Sequence, residues 1–224
     1  SGIFSQAQKI NVLVVTGGHA FDTLQFFQMF DALEGLNYKH LTQPFANKEL
    51  LKGVANESDV LVFYDMWKTI SDDEKAAYIN LTKEGKSFLF LHHSLASYQN
   101  WPEFEKIIGG KYVEKGKGKT KEQESTYEHD VWVNITVEKD HPVTAGINSI
   151  KLFDEVYGNF RVLESVIPLL KTSHPQSSPV IAWENKYNAS NIVYLQPGHD
   201  YHAFESPEYR KLLLQAINYL SKSK

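Results

Sequence analysis

The 224-residue sequence contains no cysteine. This absence excludes a thiol nucleophile, a CxxC redox pair, an iron–sulfur cluster and any zinc site built on thiolates. It leaves the cellular compartment open, because a chain without cysteine is compatible with oxidising and reducing surroundings alike. The chemistry of any functional site must therefore come from other side chains.

The sequence also lacks an excess of basic residues and a long apolar run, and these two absences exclude two kinds of partner. Lysine and arginine number 23 against 27 aspartate and glutamate residues, so the chain lacks a basic field and we expect no nucleic-acid partner. No apolar run approaches the ~18 residues of a membrane-spanning helix, so we expect no membrane span. The remaining composition, 42% hydrophobic and 22% charged, is typical of a folded domain that needs no cross-links.

Several catalytic motifs are also missing. Gly17-Gly18 lacks the third glycine of a dinucleotide-binding GxGxxG fingerprint, and a tight turn whose amides face a ligand is the better interpretation. The sequence has no HExxH zincin motif and no GxSxG nucleophile elbow. Ser94 nevertheless follows a predicted strand, so a triad of Ser94, His199 and Asp200 is one alternative.

Strand and helix patterns alternate along the chain. Continuous apolar runs predict buried strands, whereas amphipathic spacing and capping residues predict helices. The predicted strands are Ile10–Thr16, Tyr38–Leu41, Val60–Tyr64, Ser87–Leu91 and Val131–Val137, then a hairpin of Pro179–Trp183 and Asn191–Leu195. The predicted helices are Thr23–Leu36, Lys48–Ala55, Ser71–Glu84, Trp101–Ile108 and a last helix from Ser206-Pro207 to Leu220. This alternation predicts one α/β domain over residues 9–224, with a mainly parallel, doubly wound sheet and a C-terminal hairpin.

Two segments stand outside this alternation. Ser1–Gln8 are small and polar, as in a tag remnant or the end of a removed secretory signal, and we favour an exported, periplasmic protein over a cytoplasmic one. Lys111–Glu128 is rich in lysine and is predicted to be a solvated loop or a lid over an anionic substrate. The hairpin and the alternating strand Val131–Val137 offer exposed edges through which two copies could pair as a homodimer.

Several of the nine histidines follow predicted strands. His19 follows the first strand, His92 and His93 follow Ser87–Leu91, and His199 follows the second strand of the hairpin. Because ligands of parallel sheets bind beyond the carboxyl ends of the strands, we expect these imidazoles to converge on one cleft. If the backbone is extended at His92 and His93, the two rings point in opposite directions and at most one of them enters the cleft.

Converging imidazoles support two kinds of chemistry. His19, His93 and His199 could bind zinc or another divalent ion with an open coordination position. They could instead act as catalytic acids and bases near neutral pH, with His199 as the main acid/base. A third interpretation is that each histidine only caps a strand end through hydrogen bonds. The segment Asp154–Tyr157 suits either a solvated turn or a functional carboxylate. The candidate substrate-binding residues are His92, Asp65, Trp67, Ser94 and Glu155.

Motifs spread over nearly the whole chain after residue 9 together resemble the trehalose-utilisation (ThuA-like) family. They are Gly17–Phe21, Leu91–Ala96, Asn100–Phe104, Ile108–Tyr112, Asp140–Gly146, Asp154–Tyr157 and Pro197–His199. The resemblance implies a flavodoxin-like three-layer α/β sandwich, similar to the class I glutamine amidotransferases. In those enzymes the turn after the strand equivalent to Ser87–Leu91 carries a nucleophilic cysteine. Here this turn is His92-His93-Ser94, so glutaminase activity is excluded.

The resemblance also implies a role. The family name links it to disaccharide catabolism, which implies a sugar partner, a keto-sugar or glycoside substrate, and a hydrolase, lyase or isomerase reaction. His199 would lie near the position of the amidotransferase general base, by analogy of position alone. Two alternatives stay open: a non-catalytic carbohydrate-binding or scaffold protein that kept the fold, and a serine hydrolase that uses Ser94.

Overall fold

The apolar runs of the sequence form strands, and the capped amphipathic segments form helices. The computed structural model describes residues 8–223, so the predicted remnant at residues 1–8 lies, except for Gln8, outside the described residues. The strands are β1 Ile10–Gly17, β2 Leu36–Thr42, β3 Val60–Asp65, β4 Ser87–Leu91, β5 Gly110–Lys111, β6 Thr126–Val137, β7 Ser149–Gly158, β8 Arg161–Val162, β9 Ile167–Thr172, β10 Val180–Tyr187 and β11 Ser190–Leu195. The helices are α1 Thr23–Asp31, α2 Phe45–Leu51, α3 Asp72–Lys83, α4 Pro102–Ile108, α5 Tyr201–Phe204 and α6 Pro207–Lys222.

One large sheet organises the described part of the chain. Its nine strands lie in the order β2-β1-β3-β4-β11-β10-β9-β6-β7. From β2 to β11 neighbouring strands pair in parallel, and from β11 to β7 they pair antiparallel. β5 and β8 form a separate two-stranded sheet. The residues of β3 and β4 are buried throughout, as expected for parallel strands with both faces covered.

Hydrophobic side chains on the two faces of the sheet form two separate clusters. Val62 packs in the cluster that contains Phe26 of α1 and Leu213 of α6. The next residue, Phe63, packs in the cluster that contains Tyr78 of α3 and Ile107 of α4. Successive residues of β3 thus serve opposite faces, and the sheet lies between two layers of helices. The predicted flavodoxin-like three-layer α/β sandwich is confirmed.

The second half of the chain contains strands that the sequence patterns did not predict. β6 begins at Thr126, inside the predicted loop Lys111–Glu128, and its first five residues are all exposed, so they carry no apolar alternation. β7 has the buried acidic pair Asp154-Glu155 in the middle of its apolar residues, which hides its strand pattern. These strands extend the sheet antiparallel beyond the parallel half.

The predicted hairpin is formed by β10 and β11, but it does not lie at an exposed edge. β11 pairs with β4 and β10 pairs with β9, so the hairpin is central. The strand predicted at Val131–Val137 lies within β6, between β9 and β7. The edges of the sheet are β2 and β7, and the homodimer stays a prediction. Within residues 8–223, no helix combines the length and the hydropathy that crossing a bilayer requires.

Gly198 holds the chain where β11 leads to the strand-end histidines. Its φ is +119°, and a Cβ at this position would lie 2.3 Å from the hydroxyl oxygen of Tyr209. The Tyr64 hydroxyl lies 2.8 Å and 3.0 Å from the carbonyl oxygens of Gly198 and His199. The Asp154 carboxylate accepts hydrogen bonds from the amides of both residues, at 2.8 Å and 2.9 Å. Only glycine combines this backbone conformation with this close approach.

Gly198→Ala is expected to lower the free energy of unfolding by about 2–3 kcal/mol, because it adds a steric clash to a strained backbone conformation. The matched control is Gly35→Ala, where φ is +80° and a Cβ would meet nothing within 4 Å. The control carries the backbone strain alone and is expected to lose roughly 1 kcal/mol. Urea denaturation of both variants measures the difference, and equal losses would contradict this account of Gly198.

Candidate functional site

Five imidazoles and one carboxylate meet beyond the carboxyl ends of the parallel strands. His19 follows β1, His92 and His93 lie on a 3₁₀ turn directly after β4, and His199 follows β11. The antiparallel half of the sheet adds Glu155 from β7 and one further histidine from β6. We name these five imidazoles the histidine cluster: His19, His92, His93, His129 and His199.

The Glu155 carboxylate contacts three imidazoles of this cluster. Its Oε2 atom lies 2.8 Å from His92 Nε2 and 3.2 Å from His199 Nδ1, and its Oε1 atom lies 3.0 Å from His129 Nδ1. Burial opposes ionisation of this carboxyl group, but the imidazoles of His199 and His92 hold the pKa of Glu155 well below its usual range. Burial alone would lower the pKa of His199, and the carboxylate of Glu155 raises it instead.

His92 has a fixed tautomer. Its Nδ1 atom lies 2.6 Å from the carbonyl oxygen of Gln196, which can only accept a hydrogen bond, so Nδ1 carries the proton. Its Nε2 atom faces Glu155 Oε2, the Tyr157 hydroxyl at 2.8 Å and His199 Nδ1 at 3.2 Å. The φ of His92 is +46°, an uncommon value for a side chain of this size, and the tight turn after β4 imposes it.

His93 and His19 stack on one another beside this group. Their ring centroids lie 4.7 Å apart at an angle of 27°. His93 Nε2 donates to the carbonyl oxygen of Tyr64 at 3.2 Å, and its Nδ1 atom has no hydrogen-bond partner among the described residues. Burial lowers the pKa of His93 well below its usual value, so the ring is neutral. His19 Nδ1 donates to the carbonyl oxygen of Ala20 at 2.6 Å, which leaves Nε2 as an acceptor.

A pocket of about 710 Å³ opens at the histidine cluster. Glu155 and three imidazoles of the cluster, His19, His93 and His129, line it. His199 lies outside the lining, and so does His92, which is fully buried behind Glu155 and Tyr157. The predicted lysine-rich loop also contributes to the wall. Its charged lining side chains are Glu114, Lys115, Lys121 and Glu124. These residues carry both signs of charge, and the lid over an anionic substrate stays a prediction.

The trehalose-utilisation family model matches residues 11–220 of the sequence. The chain belongs to the ThuA family. This result agrees with the resemblance seen in the sequence motifs, all of which lie within the matched range. Comparison with curated proteins gave no match to this ThuA-family chain.

Solved structures share the fold of this ThuA-family chain. A protein described as ThuA-like from Parabacteroides merdae has a TM-score of 0.78 and 17% identity, over 97% of this chain and 91% of that chain. Another from Bacteroides uniformis has a TM-score of 0.73 and 18% identity, over 98% and 94% of the two chains. PurLQS from Thermotoga maritima has a TM-score of 0.61 and 13% identity, over 95% and 100%. At these identities the likeness establishes the fold alone.

Besides His92, three predicted substrate-binding residues do not line the pocket of the ThuA-family chain. Asp65 is buried against Gln43, and Trp67 packs half-buried against the second hydrophobic cluster. Ser94 is fully buried, and its Oγ atom has no hydrogen-bond partner among the described residues. The Ser94–His199–Asp200 triad is therefore not formed. A position at a strand end does not fix where a side chain points, which explains these three outcomes.

The sequence reasoning missed two residues of the site. His129 lies in the exposed first part of β6, where no apolar alternation marks a strand. Tyr157 lies two residues after Glu155, and its hydroxyl contacts His92 Nε2. The available signal was the segment Asp154–Tyr157 itself, whose acidic pair is buried in β7 rather than solvated in a turn.

One group of side chains could hold a metal ion. His92, Glu155 and His199 each offer a ligand atom, and these atoms lie within 4.8 Å of one another. The predicted ligand set of His19, His93 and His199 shares only His199 with this group. The assignment of His19 and His93 as ligands stays a prediction.

Asp65 belongs to a buried polar network beside the site. Its Oδ2 atom accepts a hydrogen bond of 2.9 Å from Gln43 Nε2, which also lies 2.8 Å from Asn47 Oδ1. Burial raises the pKa of Asp65 to about 7, although the hydrogen bond from Gln43 opposes the shift. The folded state therefore binds a proton more tightly at Asp65 than the unfolded state does.

We expect Asp65 to make a contribution to the free energy of unfolding that falls as the pH rises from about 4 to 7, and Asp65→Asn to remove this contribution. The Asp65 contribution is fully present below the unfolded pKa and is lost as the pH passes the folded pKa, with a size of about 2–4 kcal/mol. Urea denaturation between pH 4 and pH 8 measures it, with the exposed Asp73→Asn as the control. Parallel pH profiles for the wild type and Asp65→Asn would contradict the prediction.

Proposed function

We propose that this ThuA-family chain is an enzyme that acts on a sugar or an oxidised sugar in the pocket at the histidine cluster. The observation that carries the proposal is the buried Glu155 carboxylate, held by three imidazoles at the wall of a pocket of about 710 Å³. Clustered titratable groups with opposed pKa shifts in a pocket are typical of catalytic sites. Strand capping alone does not account for a carboxylate gathered among imidazoles from four segments of the chain.

The donors and acceptors of the pocket suit a substrate rich in hydroxyl groups. His19 Nε2 is an acceptor on a ring that lines the pocket, so a hydroxyl group of a sugar can donate to it. Tyr112 and Tyr127 also line the pocket and offer aromatic faces on which a sugar ring can pack. The description of the family, trehalose utilisation, points in the same direction.

We assign proton transfer to His19 rather than to His199. The Nδ1 proton of His19 is held by the carbonyl oxygen of Ala20, so Nε2 has its lone pair available to take a proton from the substrate. His199 Nδ1 instead faces the Glu155 carboxylate and His92. Glu155, which lines the pocket, accepts a hydrogen bond from a sugar hydroxyl group, and the His199 imidazole beside it helps to keep the pKa of this carboxyl group low.

His19→Gln is expected to lower kcat by about 100-fold or more, because glutamine cannot accept and return the proton. Binding of the same sugar should change only a few-fold, since the side-chain amide keeps the hydrogen-bonding capacity. The measurement is conversion of trehalose and of keto-glycosides followed by NMR, with calorimetry for binding.

His40→Gln is the matched control, since this exposed imidazole lies on β2 and does not line the pocket. Equal turnover by the wild type and His19→Gln would remove the assignment of His19. Sugar binding without conversion by the wild type would overturn the enzymatic proposal in favour of a carbohydrate-binding protein.

A further inference from the structure

We propose that His92 Nε2, His199 Nδ1 and Glu155 Oε2 together bind one divalent transition-metal ion. The inference deepens the proposed function, on which the role of the ion rests, whereas the site itself rests on the geometry of these three residues. It differs from the set His19, His93 and His199 indicated by strand-end positions.

The protonation of His92 is the first argument. Because its Nδ1 proton is committed to the carbonyl oxygen of Gln196, the neutral His92 ring has its lone pair at Nε2. This lone pair lies 2.8 Å from Glu155 Oε2, which is also an acceptor. The Tyr157 hydroxyl, 2.8 Å from the same nitrogen, brings one proton but does not separate the nitrogen from the carboxylate oxygen. A cation shared by the two groups, either a proton on His92 or a metal ion, removes their repulsion.

The distances among the three atoms are the second argument. They are 2.8 Å from His92 Nε2 to Glu155 Oε2, 3.2 Å from His92 Nε2 to His199 Nδ1 and 3.2 Å from His199 Nδ1 to Glu155 Oε2. Ligands about 2.1 Å from one ion at tetrahedral or octahedral angles lie about 3.0–3.4 Å apart. The triangle of ligand atoms thus has close to the size that one ion requires. The three ligands would occupy one side of that ion.

The surroundings of the three ligands are the third argument. Metal-binding histidines commonly donate their second ring N–H to a backbone carbonyl, as His92 does to Gln196. The other oxygen of Glu155 is held by His129 Nδ1 at 3.0 Å, which fixes the carboxylate. The Asp154 carboxylate accepts a hydrogen bond from the His199 amide and so fixes the backbone of the third ligand. Protein partners therefore orient the His92 ring and the Glu155 carboxylate and hold the backbone of His199 in place.

Two imidazoles and one carboxylate suit zinc, iron, manganese or cobalt as divalent ions. Three protein ligands leave coordination positions open, and Glu155 lines the pocket, so a hydroxyl or carbonyl oxygen of the sugar can reach the ion. An ion in this place polarises that oxygen as a Lewis acid.

A second buried carboxylate provides a matched internal control. Glu184 contacts one imidazole, His141 Nε2 at 3.2 Å, and one tyrosine, the Tyr219 hydroxyl at 2.7 Å. This group has the same residue types as the proposed site but lacks a second imidazole. We expect it to bind no ion.

The test is titration of Zn²⁺ and Co²⁺ into protein that is produced without a histidine tag and stripped with EDTA. We expect one ion per chain, visible d–d absorption bands for Co²⁺, and a higher Tm with either ion. Glu155→Gln and His199→Ala should each weaken binding at least 100-fold, whereas Glu184→Gln and His141→Ala should bind as the wild type does. Circular dichroism of each variant verifies that it is folded.

Failure of this inference is distinguishable from failure of the proposed function. Wild type that binds no ion, or site variants that bind as tightly as the wild type, would overturn the metal site. Equal sugar turnover by EDTA-stripped and zinc-loaded protein would overturn the catalytic role of the ion and would leave the enzymatic proposal intact. One bound ion with no conversion of any sugar would support the metal site and contradict the proposed function.

Discussion

The site depends on a carboxylate that is buried and yet ionised. Removing a carboxylate from water without partners costs several kcal/mol, so the Glu155 side chain requires the imidazoles that surround it. Those imidazoles come from the turns after β4 and β11 and from β6. The same contacts therefore stabilise the carboxylate and join segments that are distant in the sequence.

The order of the strands shows how much the sheet must curve to form these contacts. β7 lies four strands away from β11 in the sheet, which in a flat sheet would be about 19 Å. Glu155 nevertheless lies 3.2 Å from His199, and the Gln196 side chain donates to the Glu155 carbonyl oxygen at 2.8 Å. The antiparallel strands thus curl back over the ends of the parallel ones and close one side of the pocket.

Sequence patterns predicted the parallel half of the fold well, because β1, β3 and β4 are buried apolar runs followed by turns. Position after these strands also placed His19, His92 and His93 in one region. The same criterion misplaced Asp65, whose side chain turns toward Gln43, since a strand end does not determine the direction of a side chain. His129 was beyond prediction, because its contact with Glu155 depends on pairing between strands with no apolar alternation at that point.

The central claim is that His92 Nε2, His199 Nδ1 and Glu155 Oε2 converge on one point where a divalent ion binds. Long-range ¹H–¹⁵N NMR of the histidine rings, recorded without and with one equivalent of Zn²⁺, tests this claim most directly. The account expects His92 to be protonated at Nδ1 in both spectra, with the ¹⁵N shifts of His92 Nε2 and His199 Nδ1 moving when zinc is added. A His92 ring protonated only at Nε2, or zinc that leaves both nitrogens unchanged, would contradict it.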